Sequence, residues 1–244
     1  AAFAALDLKQ FDTALEHCTE FRKAYPDNRL IGDVNYVAAE CNLQLKKYPE
    51  AETAYRELIE KQGDHPDAAL WQVRLALAQF LQKKYDETIQ SLAGAGKDLK
   101  APDQLAEANY LRGASQFFTD KFADAAKSLS ASLEAAPSWR QADETLLLLA
   151  RAQQKLDQSD DAKQTINKLL TDFTNSALLD QAHYRLGEFS YASNDFKSAA
   201  AEYGVVAEKF PESAFAPYAL YGKGWAHLKV KELEPATQSF TALL

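Results

Sequence analysis

The sequence AHYRLG at residues 182–187, followed by DFKSA at residues 195–199, decides the fold of this chain. The first segment carries a small residue, Gly187, and the second carries an aromatic residue, Phe196, three places before Ala199. Small residues let two helix backbones approach closely, and an aromatic ring fills the space beside them. The two segments therefore predict a pair of packed helices, which we call helix A and helix B.

This pattern recurs along the chain at a fixed interval of 37 residues. The alanine position of helix B is occupied, from the first repeat to the seventh, by Ala14, Ala51, Thr88, Ala125, Ala162, Ala199 and Ala236. The small position of helix A is occupied by Ala2, Ala39, Ala76, Gly113, Ala150, Gly187 and Gly224. A period of this length predicts a repeat protein in which each helix pair buries its apolar face against its neighbours.

The composition favours helices and narrows the classes of function. The chain of 244 residues is 47% hydrophobic and 25% charged, with only 9 Gly and 8 Pro, so helix breakers are scarce. A net charge of −8 gives no electrostatic attraction for nucleic acid or for an anionic membrane. The longest wholly apolar run, residues 146–150, is too short to cross a bilayer. We therefore predict an all-α chain with no nucleic-acid partner and no transmembrane segment in this stretch.

The spacing of small residue, aromatic residue, alanine and proline resembles the tetratricopeptide repeat, whose usual length is 34 residues. Pro26, Pro137 and Pro211 stand where helix B would end. The resemblance implies a right-handed helix-turn-helix solenoid of about seven repeats, the first and last incomplete, as a single domain over residues 1–244. The repeats are predicted to end near residues 28, 65, 102, 139, 176, 213 and 244. Neither end carries a polar capping segment, which indicates a fragment of a longer chain.

Two local features refine this prediction. Each repeat is longer than the usual one, and a polar residue such as Ser138, paired with Gln141 as in a capping box, is expected to start helix A one turn early. In the third repeat, the sequence Gly94-Ala95-Gly96 predicts an early end of helix B. A phosphate-binding loop is the weaker interpretation of these glycines because no strand precedes them.

The residues that would carry catalysis or bind a metal ion are not grouped. The four histidines, His17, His65, His183 and His227, do not pair at the spacing of metal ligands. No hydrolase or phosphate-loop motif is present in the sequence. We therefore predict no enzymatic activity, no metal ion and no cofactor.

Two further features each have two interpretations. Cys18 and Cys41 are either buried reduced thiols or a disulfide formed in an oxidising envelope. The column of polar residues that runs through the A helices from Asn42 to His227 is either a hydrogen-bonded seam between repeats or a solvated edge.

In the resembled family, helix A lines a concave surface that receives a partner. The resemblance places the partner-binding residues at Tyr36, Leu70, Val73, Leu77, Phe80, Tyr110, Phe117, Tyr184, Tyr191, Tyr218, Tyr221 and Trp225. They suit an amphipathic or extended partner segment with aliphatic anchors and some basic residues. They concentrate in repeats three and four and again in repeat seven, which predicts two pockets separated by a polar stretch. Only Arg74 and Arg185 match a carboxylate clamp, so that type of site is not expected.

The resemblance thus predicts a non-enzymatic scaffold that binds a protein or peptide. The sequences Tyr25-Pro26-Asp27 and Phe210-Pro211-Glu212 resemble bacterial cell-envelope members of the family, including outer-membrane-assembly lipoproteins and periplasmic proteins of the Tol-Pal system. This implies a location in the periplasm or envelope, with the cytoplasm as the alternative. Two other functions stay open: an accessory repeat arm of a larger enzyme or regulator, and a module that self-associates end to end.

Overall fold

The computed structural model describes residues 1–94 and 98–244, and these residues form fourteen α-helices and no strand. The A helices are α1 Ala2–Asp7, α3 Ile31–Gln44, α5 Ala68–Leu81, α7 Pro102–Phe118, α9 Ala142–Lys155, α11 Leu179–Ala192 and α13 Ala216–Lys229. The B helices are α2 Phe11–Ala24, α4 Tyr48–Lys61, α6 Tyr85–Ser91, α8 Phe122–Ala135, α10 Ser159–Asp172, α12 Phe196–Lys209 and α14 Leu233–Leu243. The predicted all-α repeat of helix pairs is confirmed.

Contacts within the chain group its residues into two compact units. The first unit comprises residues 1–124 and 134–136, and the second comprises residues 125–133 and 137–244. Within each unit the helices pack against their neighbours in the chain, and A helices also contact the next A helix, as α5 contacts α7 and α11 contacts α13. The prediction of a single domain over residues 1–244 stays a prediction.

The small residues of the repeat lie where the helices cross. All seven residues at the alanine position of helix B are buried, Ala14 and Ala199 completely. Ala39, Ala76 and Ala150, at the small position of helix A, are also completely buried. Because a larger side chain at these crossings would push two backbones apart, the 37-residue period of small residues is a packing requirement.

Each A helix ends in the same left-handed turn. The residue at this point has a φ between 57° and 64° in all seven repeats: Lys9, Lys46, Lys83, Asp120, Asp157, Asn194 and Lys231. In the third repeat the Lys83 amide donates to the Phe80 carbonyl, and the Lys84 amide donates to the Gln79 carbonyl. These bonds supply donors to carbonyl groups that would otherwise have no partner at the end of the helix. Glycine is the residue usually found at such a left-handed position. The turn fixes the length of the connection to helix B, although none of the seven residues is glycine.

The start of α9 differs from the prediction. The helix begins at Ala142 with Gln141 as its N-cap and without a side-chain capping bond. The residues before it form a turn in which the Ala142 amide donates to the Trp139 carbonyl. This turn, in which Trp139 is buried, lies where the additional turn of helix was predicted. The predicted early start from Ser138 is therefore wrong for this helix.

Repeat three has the predicted short B helix. The helix α6 ends at Ser91 after seven residues, whereas α4 has fourteen. Gly94 follows in an exposed turn, and Ala95 and Gly96 lie outside the described residues. The predicted early end of helix B in the third repeat is therefore confirmed.

The polar column includes hydrogen bonds between the two helices of a repeat. The Ser91 hydroxyl donates to Gln79 Oε1 at 2.8 Å, and the Thr165 hydroxyl donates to Gln153 Oε1 at 2.8 Å. Both pairs join helix A to helix B of the same repeat, and Gln79 is almost completely buried. These two bonds lie within a repeat, whereas the predicted seam runs between repeats. Gln79 makes such a bond as well, because its Nε2 donates to Glu52 Oε1 of the preceding repeat at 3.4 Å.

Gln79 also belongs to a cluster around a buried carboxylate, Glu52 on α4. Glu52 accepts hydrogen bonds from Lys84 at 2.7 Å, from Arg56 at 2.8 Å and from Gln82 at 2.9 Å. Burial alone would raise the pKa of Glu52, but these bonds, with one from Gln79, outweigh it and lower the pKa to about 2. This cluster joins α4 to the helix pair of the next repeat.

Both cysteines are free thiols buried in the same apolar cluster of the first unit. Burial, followed by the neighbouring Cys18, raises the pKa of Cys41 to about 11. The arrangement matches the interpretation of two reduced core thiols, which behave as small apolar side chains.

Candidate functional site

The second unit contains a pocket of about 370 Å³ lined almost entirely by aromatic side chains. Its lining residues are Tyr184, Tyr191, Tyr203, Tyr218, Tyr221, Gly222 and Trp225. The first two lie on α11, Tyr203 lies on α12, and the other four lie on α13. The pocket is thus formed by two successive A helices and the B helix between them.

The helical period brings these side chains to one surface. Tyr218, Tyr221 and Trp225 are spaced three and four residues apart, so they lie on one face of α13. Tyr184 and Tyr191 are seven residues apart and share a face of α11.

Tyr203 forms the floor of the pocket because glycines lie on both sides of its ring. A Cβ atom built on Gly187 or on Gly222 would lie 2.7 Å from atoms of this ring. The ring of Tyr184 covers it from α11, with centroids 5.7 Å apart. Any side chain at either glycine would therefore have to displace the buried Tyr203 ring.

The wall formed by α13 is exposed. Tyr218, Tyr221 and Trp225 expose 64%, 53% and 42% of their surface, respectively. Tyr221 and Trp225 contact each other edge to face, with centroids 6.1 Å apart, and both contact Phe240 of α14. A contiguous group of exposed aromatic residues beside a cavity is typical of an interaction surface.

The Glu188 carboxylate on α11 interacts with the guanidinium groups of Arg185 and Arg151 as well as with the phenols of the pocket. Burial and the Glu188 carboxylate together raise the pKa of Tyr184 to about 12, and they also raise the pKa of Tyr203. Both phenols are therefore protonated at neutral pH. Arg185 Nη1 donates to Glu188 Oε2 at 2.6 Å along the same helix, and its guanidinium lies 5.6 Å from the centre of the Tyr184 ring.

The first unit contains the same constellation with one substitution. Tyr36, Glu40, Tyr55 and Arg74 stand four repeats before Tyr184, Glu188, Tyr203 and Gly222, respectively. Arg74 on α5 occupies the position of the glycine, and its side chain is mostly buried.

Arg74 joins three A helices of the first unit. Its Nη1 donates to Glu107 Oε1 on α7 at 2.9 Å, and its Nε lies 3.8 Å from Glu40 Oε2 on α3. The Tyr55 hydroxyl donates to the same Glu40 oxygen at 2.7 Å. Although burial would lower the pKa of Arg74, Glu107 and Glu40 raise it, so the guanidinium is held as a cation between two carboxylates.

The structure gathers five of the twelve predicted site residues in the pocket: Tyr184, Tyr191, Tyr218, Tyr221 and Trp225. Tyr36, Leu77, Phe80 and Tyr110 are half-buried and pack against core clusters of the first unit, and Leu70 is half-buried. Val73 and Phe117 are buried, so the structure places these two in the core and not on a binding surface. Val73 packs with Leu92, which directly follows the B helix α6, and with Leu111 of the next A helix.

Three residues of the site are absent from the sequence-based list: Gly187, Tyr203 and Gly222. The family resemblance places the binding residues on helix A, whereas Tyr203 lies on helix B. The sequence does carry a signal for Tyr203, because an apolar or amphipathic residue stands at its position of helix B in every repeat. No sequence pattern indicates Gly222, because its packing role depends on the Tyr203 ring that lies beside it in the folded chain.

Within residues 1–94 and 98–244, no group of three or more His, Cys, Asp or Glu side chains is arranged to hold a metal ion. None of the helices in the described part of the chain has both the length and the apolar character needed to span a bilayer.

Family models described as tetratricopeptide repeat match residues 1–65, 42–98, 144–176 and 181–213, which together make up more than half of the chain. Among curated proteins, no sequence is significantly similar to this one.

Solved structures with this fold are numerous. The apo form of RapI is 14% identical, with a TM-score of 0.73 over 99% of this chain and 73% of that one. PilF of Pseudomonas aeruginosa is 16% identical, with a TM-score of 0.68 over 89% of this chain and 92% of that one. YrrB, described as a TPR protein with an unusual peptide-binding site, is 16% identical, with a TM-score of 0.63 over 78% of this chain and 90% of that one. At these identities the likeness concerns the fold alone.

Proposed function

Since the chain belongs to the tetratricopeptide repeat family, we propose that it is a non-enzymatic scaffold that binds a peptide segment of a partner protein in the aromatic pocket of the second unit. The observation that carries this proposal is the exposed wall of Tyr218, Tyr221 and Trp225 on α13. Aromatic side chains of this kind contribute much of the energy of protein interfaces when a partner buries them.

The proposal is supported by the shape and chemistry of the pocket. It is open to solvent on one side and has a rigid floor, because Tyr203 is held between two glycines. A preformed aromatic surface loses little conformational entropy on binding. The peptide-binding site named for YrrB shows that the same fold serves this purpose in another protein.

We further propose that the scaffold acts in a bacterial cell envelope. This location is supported by the Tyr25-Pro26-Asp27 and Phe210-Pro211-Glu212 sequences, which resemble envelope members of the family. Fractionation of the native cells, followed by detection of the protein with an antibody, tests it. Recovery in the periplasmic or membrane fraction is expected, and recovery in the cytoplasmic fraction would contradict the proposal.

The binding proposal is tested with a random dodecapeptide library displayed on phage and selected on the whole chain. We expect recovered peptides to bind about thirtyfold more weakly to Trp225→Ala, which corresponds to about 2 kcal/mol. The matched control is Phe118→Ala, which removes an exposed aromatic side chain of the first unit and should leave binding unchanged.

Circular dichroism and thermal unfolding establish that both variants fold before affinities are compared. Peptides that bind wild type and Trp225→Ala equally would show that the pocket is not the binding site. Failure of the selection to yield any peptide would contradict the proposal as well.

A further inference from the structure

We propose that the aromatic pocket of the second unit binds a proline-rich segment of the partner in the polyproline II conformation. The inference rests on the proposed function of the pocket as a peptide site, and it names the chemical class of the peptide. Three features of the pocket carry it: its uncharged lining, the aromatic character of its exposed wall, and the spacing of the rings along that wall.

The lining of the pocket offers a partner no charged group. All seven of the described residues that line it are tyrosine, tryptophan or glycine. The Glu188 carboxylate, which interacts with the phenols of the pocket, already receives a hydrogen bond from Arg185 at 2.6 Å and is attracted to Arg151. Because burying an unpaired charge among aromatic rings is costly, we expect the group that enters the pocket to be uncharged.

The exposed wall of α13 is aromatic where the corresponding helix of the first unit is aliphatic. Tyr218 and Trp225 stand at the positions that Leu70 and Leu77 occupy on α5, four repeats earlier. An aliphatic surface would suffice for leucine or isoleucine anchors, whereas the electron-rich face of an aromatic ring attracts groups with partial positive charge. The proline ring presents such groups, because its Cα and Cδ atoms are bonded to the amide nitrogen. The wall therefore suits proline better than a purely aliphatic side chain.

The spacing of the exposed rings is close to the repeat of a polyproline II helix. Tyr218 and Trp225 are seven residues apart on α13, which separates them by about 10.5 Å along the helix axis. A polyproline II helix has three residues per turn, so prolines at positions i and i+3 lie on one face about 9.3 Å apart. Tyr184 and Tyr191 have the same seven-residue separation on α11. Two prolines of one peptide thus match the two ends of the aromatic wall.

The rigidity of the site favours the same occupant. The ring of Tyr203 is confined by Gly187 and Gly222, and proline restricts the backbone of the free peptide, so that little conformational entropy is lost on binding. Aromatic-lined grooves bind proline-rich segments for this reason. Of the two partner types expected from the sequence, this is the extended one, with proline in place of aliphatic anchors and basic residues.

The probes are decaproline and a flexible decapeptide of alternating glycine and serine, and the emission of Trp225 reports binding. Because the other two tryptophans are buried, a change in emission is assigned to the pocket. We expect decaproline at millimolar concentration to shift the emission to shorter wavelength in a saturable manner, and the flexible peptide to leave it unchanged. Peptides from the phage selection should contain two prolines three residues apart, and replacing either by alanine should weaken binding about tenfold.

Variants that exchange aromatic for aliphatic side chains identify the role of the rings. Trp225→Leu and Tyr218→Leu give α13 the residues that α5 carries at the equivalent positions and keep the wall apolar. We expect each variant to weaken decaproline binding by about tenfold. The matched control is Phe118→Leu, the same exchange at an exposed residue of the first unit, which should leave binding unchanged. Titration calorimetry measures these affinities, because Trp225→Leu removes the fluorescent group, and circular dichroism establishes that the variants fold.

The outcomes separate this inference from the proposed function. Absence of decaproline binding to wild type, or equal binding by wild type and both leucine variants of α13, would overturn the inference. Selected peptides without paired prolines would overturn it as well, while their dependence on Trp225 would leave the proposed function intact. Peptide binding that does not depend on Trp225 would refute both.

Discussion

The two units place the same residue types at the same positions of the repeat and use them differently. In the first unit, Arg74 joins α3, α5 and α7 through Glu40 and Glu107. In the second unit, Gly222 occupies the equivalent position, and the Tyr203 ring packs directly against it at the edge of a pocket lined by tyrosines. The residue at this position of the 37-residue period thus differs between an arginine that links three helices and a glycine against which an aromatic ring packs. The four predictions below test this difference.

The largest effect is expected from removing the arginine of the first unit. Arg74→Ala leaves Glu107, which is mostly buried, without its cation, and we expect a loss of about 3 kcal/mol in the free energy of unfolding. The matched variant is Arg185→Ala, at the same position of helix A and with a nearly equal side-chain exposure, 26% against 25%. Arg185 pairs with Glu188 of its own helix, so its loss should be about 1 kcal/mol or less. Equal losses in urea unfolding would refute a structural role specific to Arg74.

The second prediction concerns Glu52, whose place four repeats later is taken by Ala200. The pKa of Glu52 is about 2 in the folded chain against an ordinary value near 4.5. The stabilisation of the folded chain by the ionised Glu52 carboxylate is therefore fully present above pH 4.5 and is lost as the pH falls towards 2. We expect Glu52→Gln to be less stable than wild type by about 2 kcal/mol at pH 7 and by progressively less below pH 4.5.

Urea unfolding at several pH values between 7 and 2.5 measures this difference. Glu60→Gln on the exposed face of α4 is the control and should track wild type throughout. A Glu52→Gln difference that stayed constant across this range would contradict the depressed pKa.

The third prediction tests Gly222, the glycine against which the Tyr203 ring packs. In Gly222→Ala the new methyl group meets the Tyr203 ring, and we expect a loss of about 1–2 kcal/mol because the ring has no room to move. Gly204→Ala on α12 is the comparison, since its Cβ meets only the flexible ends of Lys223 and Glu208. Removing a glycine from a helix interior there should stabilise the chain by about 0.5–1 kcal/mol. Thermal unfolding that shifts in the same direction for both variants would show that Tyr203 is not confined.

The smallest effect concerns the left-handed turns. A lysine at positive φ is strained, whereas asparagine adopts this conformation more readily. We expect Lys83→Gly in the first unit to raise the free energy of unfolding by about 0.5–1 kcal/mol, and Asn194→Gly in the second unit to raise it by less. A larger gain for Asn194→Gly would contradict this explanation.

The sequence predicts the fold better than the site, for physical reasons. The period of small residues locates the helices because every crossing requires one, as Ala39 and Ala199 show. The turn residues between helices give no such signal, since Lys83 adopts a backbone conformation that lysine rarely takes. The twelve predicted binding residues follow from the resemblance to a family, and that list includes Val73, which packs on two sides at once. The position of Gly222 beside Tyr203 depends on how three helices meet, which no local pattern encodes.

The unequal environments of the three tryptophans make the pocket visible by fluorescence. Trp71 and Trp139 are buried, with 2% and 6% of their surface exposed, while Trp225 exposes 42%. The indoles of Trp71 and Trp139 therefore emit from an apolar environment, and the indole of Trp225 emits from a partly solvated one. A soluble quencher such as acrylamide reaches Trp225 first, and any molecule that covers α13 shields that indole and shifts its emission to shorter wavelength. The intrinsic fluorescence of Trp225 thus reports binding at the surface where a partner is expected.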